Sequence, residues 1–261
     1  LIGLAGESWC FLLNGISYIG VISALLLMRL PQPTPQNNRQ NVLADLTEGF
    51  IYVSGSIPLR SLLLLMSVVS FFGLPLMTFI PAYVKDILGG DSAMLGYLLS
   101  CTGIGSLLAA LLLAARRSVP GLSKVISISA CCLGLCLLQI SFITTPWIAA
   151  ILCIITGFTI ITAVASINTL LQTLSDEDKR GRVMGYLAMA FTGITPLGSL
   201  ALGALEKYTG LPSIIFVSGI CCLSGALLFE YFRPLIHKHA HPIYIRKGFV
   251  QEATARVPNE R

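Results

Sequence analysis

The sequence predicts an all-α fold, a polytopic helical membrane protein with seven transmembrane helices. Three observations predict it. Hydrophobic residues make up 55% of the 261 and charged residues only 11%, whereas a soluble domain carries about a quarter charged residues. Seven apolar runs approach or exceed the roughly 20 residues that cross a hydrocarbon core of about 30 Å. Basic residues collect in alternate loops, as they do when a chain threads a membrane back and forth.

The runs lie near 8–28, 59–83, 93–115, 124–143, 147–173, 183–205 and 212–232. Between the first two, Pro31, Pro33 and Pro35 stiffen an extended stretch. Val42, Leu46, Phe50 and Val53 then share one face of a short amphipathic helix, expected to lie at the cytoplasmic interface. The third and fourth runs are separated by the basic segment Arg116 to Lys124, and Pro146 marks a tight turn before the fifth. After Arg233 the apolar periodicity lapses. The domain organisation follows: 1–28 holds one span, 29–58 a loop with the amphipathic helix, 59–232 a six-helix bundle, and 233–261 a cytoplasmic tail.

Loop charge orients the chain. If the first span runs outside to inside, fifteen of the seventeen Lys and Arg residues lie in the cytoplasm, leaving Lys85 and Lys207 opposite. The net charge of +5 thus flanks a lipid bilayer and is no nucleic-acid signal. All eight cysteines fall inside apolar runs, without metal-ligand spacing, and read as small hydrophobes. The alternate histidines His237, His239 and His241 lack supporting cysteines or carboxylates, so no metal and no cofactor is expected.

Enzyme chemistry is equally unsupported, because no phosphate-binding loop and no buried nucleophile with a neighbouring base is present. No ionisable residue sits deep in a span, so this chain offers no intramembrane proton relay. What remains is uncharged. In the run at 147–173, Thr159, Thr162, Ser166, Thr169 and Thr173 repeat at intervals of three and four, which places them on one helix face. Asn168 and Gln172 flank them, four residues apart. An amide in hydrocarbon must find a neighbouring helix or a wet cavity, and both readings stand: packing, or contact with a small-molecule substrate. Gly185, Ala188, Thr192, Thr195 and Ser199 make a similar stripe in the next run.

Helix breakers are the other candidates. Pro75, Pro81 and Pro196 each remove a backbone donor, and Gly193 and Gly198 flank Pro196. They read as hinges or as points of close packing. Cys101, Gly105 and Ala109 form a small-residue seam.

Three stretches resemble the major facilitator superfamily of transporters, specifically the branch containing the enterobactin exporter and macrolide efflux proteins. They are Gly6 to Asn14, Asn168 to Gln172 with Arg180 to Met184, and Thr195 to Gly198. The layout of one helix, a long loop and six helices is similar to the second half of such a transporter, with residues 1–28 as the end of its first half. The resemblance implies two six-helix bundles rocking about a central site. Spans 59–83 and 147–173 would line the cavity, and 93–115 and 183–205 would face the other half. The substrate candidates are Asn168, Gln172, Thr159, Thr162 and Ser166. Lys179, Arg180 and Arg182 match a basic loop that holds the inner gate, a role that simple topological anchoring also explains.

The expectation is therefore a multi-pass protein of a bacterial inner membrane with a cytoplasmic C-terminus. It would export a small amphipathic molecule, siderophore or drug-like, driven by protons. The chain opens without Met and is expected to be a partial transporter whose missing N-terminal half carries the coupling acid. The alternatives are a lysophospholipid flippase, or a non-transporting scaffold or decayed product.

Overall fold

The computed structural model describes residues 7–28, 42–116 and 121–246. The proline-rich stretch at 31–35, Gly6 of the first resembling stretch, the loop cations Arg29, Arg39 and Arg117, and the tail from 247 onward lie outside the described residues.

Two units divide the chain at Asn41. The first contributes one described helix, α1 (Glu7–Leu27), whose apolar part Leu12–Leu27 is shorter than the other spans. The second begins with α2 (Val42–Gly55) and continues as six helices long and apolar enough to cross a membrane. These are α3 (Ile57–Ile87), α4 (Ser92–Ala115), α5 (Leu122–Ile140), α6 (Pro146–Leu174), α7 (Arg180–Thr209) and α8, which runs Leu211–Arg246. All-helical spanning is what lipid demands, since every backbone donor and acceptor must be satisfied within the segment.

The helix ends are set by local chemistry. Pro58 and Pro146 occupy first-turn positions, where a missing N–H costs nothing. The Asp91 carboxylate accepts from the Met94 backbone N–H at 3.0 Å and caps α4. Gly210 at φ +79° turns the chain between α7 and α8, a conformation that glycine alone adopts without strain.

The long α8 corrects one boundary. The helix does not stop at 232 but continues through Pro234 to Arg246, with Arg233 paired to Glu230 one turn back at 2.8 Å. The first part of the expected tail is thus a helical extension, because loss of apolar periodicity ends burial without ending the helix.

Within the second unit, α6 is central. It packs along α4 and α5, and its buried positions recur with helical period from Ala149 through Cys153, Ile160 and Ile167 to Leu174. Close backbone approach holds the pairs together. A methyl group on Gly105 of α4 would run into the carbonyl oxygen of Ile154, and one on Gly157 of α6 into that of Thr102. The seam of Cys101, Gly105 and Ala109 is accordingly buried. Gly134 of α5 meets the Leu223 backbone of α8, and Gly198 of α7 meets the Phe71 carbonyl of α3. Small residues serve here because lipid supplies no hydrophobic push between helices, and contact area must come from proximity.

Each proline lies beside a widened turn. Pro75 follows the π-helical turn Val69–Gly73, Pro81 precedes the turn Tyr83–Ile87, and Pro196 follows the turn Met189–Gly193. For Pro75 and Pro196 the wide turn lies one turn back, where it lets the ring fit without a clash, whereas Pro81 sits inside the regular turn Leu76–Ala82. Gly193 faces open space, whereas Gly198 is a contact point.

The glycine crossing yields a direct test. Gly105→Ala destabilises the full chain by about 1–3 kcal/mol, the usual penalty for overpacking a tight contact. Gly103→Ala, two residues away with nothing within 4 Å of its added methyl, is neutral or stabilising by up to about 1 kcal/mol. Circular dichroism through a titration with dodecyl sulfate measures both. Equal effects would mean that the crossing does not hold α4 to α6.

Candidate functional site

Three features of the second unit carry polar or charged chemistry: the free face of α6, a cluster joining α2 to the α6–α7 loop, and a pair of grooves beside α3.

On α6 the structure separates the expected substrate set into two groups. Thr159, Thr162 and Ser166 are only 3%, 5% and 1% exposed, packed inside the unit rather than opening onto a groove. The Thr159 hydroxyl donates to the Thr156 carbonyl at 3.0 Å, while those of Thr162 and Ser166 have no hydrogen-bond partner among the described residues. Asn168 and Gln172 lie elsewhere. At 100° per residue they stand roughly 130° round the helix from the Thr159–Ser166 stripe, and Asn168 is half-buried. Gln172 is exposed, and its Nε2 donates to Asn168 Oδ1 at 2.7 Å. Satisfying each other in part, the two amides still present unused donors and acceptors to whatever lies beside α6.

The second feature ties distant parts of the chain together. The Tyr52 hydroxyl donates to Asp176 Oδ2 at 3.0 Å and accepts from the Asp176 backbone N–H at 3.1 Å. Lys179 Nζ lies 4.9 Å from the centre of the Tyr52 ring, a cation–π contact. Arg182 pairs with Glu48 at 2.6 Å, and the Tyr186 hydroxyl donates to the Leu46 carbonyl at 2.7 Å. Gly49 makes room, since a methyl there would come within 3.0 Å of the Tyr186 ring. Of the three expected gate cations, Lys179 and Arg182 therefore hold α2, whereas exposed Arg180 makes no hydrogen bond or ion pair among the described residues.

This contact sets the face that α2 turns to the unit. Gly49, Tyr52 and Val53 face the unit, while Leu46 and Phe50 of the apolar stripe are exposed, Phe50 by 61%. The packed face lies roughly 60° round the helix from the centre of that stripe at 100° per residue. Hydrogen bonds from Tyr52 and Tyr186 hold it there. Burial pushes the Tyr52 hydroxyl above its ordinary 10.0, and the Asp176 carboxylate adds to the rise, while the bond from the Asp176 backbone N–H opposes it. A raised pKa means that this contact is fully present below pH 10.0 and is lost as pH climbs through the raised value.

The third feature is a groove of about 560 Å³ between α3 and α8, and a second of about 590 Å³ between α3 and α7 that reaches α2. Arg60, Leu64, Ser67 and Ile194 line both, and Arg60 is the one charged side chain in either lining. None of the five expected substrate residues lines them.

Sequence reasoning passed over Glu48, Tyr52, Asp176, Tyr186 and Arg60 as a set. Tyr52 and Asp176 are 124 residues apart, and no local spacing joins them. The one available signal was a buried tyrosine, which needs a partner for its hydroxyl.

Two substitutions grade the α2 contact. Tyr52→Phe removes both bonds to Asp176 and costs about 1.5–3 kcal/mol, the range for hydrogen bonds to charged groups. Glu48→Gln removes a half-exposed ion pair and costs about 0.2–1 kcal/mol. Amide hydrogen exchange across 42–55 therefore quickens at least about tenfold in the first variant and a few-fold at most in the second. The reverse order would relocate the hold to the ion pair.

Comparison with known proteins places this architecture. A family model described as transmembrane secretion effector matches residues 1–249. The multidrug efflux pump Tap of Mycolicibacterium fortuitum is 28% identical over 191 residues, which are 73% of this chain and 46% of that protein. The Tap pumps of Mycobacterium bovis (strain BCG) and Mycobacterium tuberculosis (strain H37Rv) are 27% identical over 198 residues, 76% of this chain and 46% of theirs. The chain spans about half the length of the curated relatives it matches. With six membrane-spanning helices behind a shorter apolar one and a match over nearly its whole length, the chain belongs to the transmembrane secretion effector family of major facilitator transporters.

Proposed function

We propose that the protein works in an efflux transporter that exports a small amphipathic molecule, siderophore or drug-like, across a bacterial inner membrane by alternating access. The observation that carries this reading is the uncovered face of α6, where Asn168 and Gln172 present amide groups on an otherwise apolar surface. Such a surface suits a ligand that is largely apolar with a few hydrogen-bonding groups. A strongly anionic solute would need a fixed cation, and α6 has none. The Tap relatives are multidrug efflux pumps, which points the same way.

In this reading the free face of α6 is one wall of a central site. A second six-helix half supplies the opposite wall and the titrating acid for proton coupling, since no carboxylate lies on α6. The α2 contact and the other basic residues near Arg182 lie on the cytoplasmic side, together with the C-terminus. The widened turns in α3 and α7 are the places where those helices bend as access alternates.

The test uses cells expressing the complete transporter and a fluorescent amphipathic dye. Efflux stops when a protonophore collapses the proton gradient. Asn168→Leu combined with Gln172→Leu slows efflux at least about tenfold, the loss of roughly 1.4 kcal/mol of site contacts, while the amount of protein in the membrane stays unchanged. Undiminished efflux by the double variant would move the wall elsewhere. Efflux indifferent to the protonophore would refute proton coupling.

A further inference from the structure

The two grooves beside α3 share part of their lining, Arg60, Leu64, Ser67 and Ile194, and that shared wall carries a charge. Arg60 lies in the first turn of α3 and is exposed, and its guanidinium makes no ion pair or hydrogen bond among the described residues. From it, one lobe runs along α3 to Phe71 and Phe72, faced by Leu228, Phe229 and Phe232 of α8. Eleven residues separate Arg60 from Phe71, about 17 Å of helix, close to one leaflet of a hydrocarbon core about 30 Å thick. The other lobe runs between α3 and α7 from Met189 to Leu197, about 12 Å. The rim residues Leu64, Leu197 and Leu228 are each 60% exposed, so both lobes open at the surface of this unit.

From this geometry we infer that the paired grooves are a binding site for an anionic phospholipid with two acyl chains. Its phosphodiester takes the Arg60 guanidinium, whose planar fork matches phosphate oxygens. One chain lies in each lobe, against Phe71 and Phe229 on one side and Leu197 and Met189 on the other. Charge complementarity selects the headgroup. Arg60 stands at the same end of the unit as Lys179 and Arg182, the end that faces an anionic leaflet when basic loops are cytoplasmic. The fork in the groove selects the number of chains, because a single chain would leave one apolar lobe unfilled beside the charged mouth. Asn168 and Gln172 line neither groove, so lipid binding here does not depend on those residues.

Native mass spectrometry of the full chain, released from detergent with defined lipids, tests the assignment. The probes are dioleoyl phosphatidylglycerol, dioleoyl phosphatidylcholine and oleoyl lyso-phosphatidylglycerol. The wild-type chain retains the diacyl anionic lipid at least about tenfold better than either of the others. Arg60→Gln, a change at an exposed position, removes the preference over phosphatidylcholine. Ser67→Trp, which fills the wall common to both lobes, releases both diacyl lipids while size-exclusion behaviour stays unchanged. Equal retention of phosphatidylcholine by the wild-type chain would reduce the groove to ordinary lipid contact and overturn the proposal. So would an anionic preference that survives Arg60→Gln, or lyso-lipid retained as well as the diacyl form.

Discussion

The structure depends first on how closely its helices can approach. Gly105 and Gly157 let the backbones of α4 and α6 meet with no side chain between them, each glycine lying against a carbonyl of the other helix. In water a helix pair is driven together by burying apolar surface, but in lipid that surface is already satisfied. Contact must come from dispersion across a short gap and from weak polar contacts such as the Ser106 hydroxyl, which donates to the Thr102 carbonyl at 2.9 Å and approaches that of Gly157 at 3.4 Å. Gly134 and Gly198 repeat the device between α5 and α8 and between α7 and α3. The six spans are thus fastened in pairs, and the faces left over are determined by where the fastenings lie.

The packing also gives α6 unlike faces. Its Thr159–Ser166 side is buried inside the unit, where small hydroxyl side chains are what a tight contact admits. Asn168 and Gln172, roughly 130° round the helix, lie on a less covered side, Gln172 exposed. A stripe of serines and threonines in a membrane helix is polar in composition yet packs by virtue of its size. Amides four residues apart are too large for such a seam and remain on the outside.

Much of the fold was legible because it follows from one-dimensional signals. The all-helical class and the six long spans follow from apolar run lengths, whereas the first run, expected to span at 8–28, is shorter at Leu12–Leu27, and the buried Cys101–Ala109 seam follows from small residues four apart. The candidate site was legible in composition but not in placement. The interval that put Thr159, Thr162 and Ser166 on one face is real, but spacing does not say which face of a helix a neighbour will cover. The end of α8 was misplaced for a related reason: hydropathy marks where lipid stops, and the helix continues past it to Arg246. Least legible were Tyr52 with Asp176 and the grooves at Arg60, since both arise between elements far apart in sequence.

The orientation of α2 shows how these effects compete. Its apolar stripe of Leu46, Phe50 and Val53 would by itself lay the helix against the nearest greasy surface. The two bonds between Tyr52 and Asp176 and the Tyr186 bond to the Leu46 carbonyl each act only at one rotation, whereas apolar attraction changes gradually as the helix turns. Packing through a face roughly 60° from the centre of that stripe satisfies every one of those bonds and leaves Leu46 and Phe50 exposed. It also leaves Phe50 in the lining of the groove between α3 and α7, on the same short helix that Glu48 and Tyr52 bind to the α6–α7 loop. One helix of 14 residues thus touches both the charged loop and an apolar groove, through side chains a single turn apart.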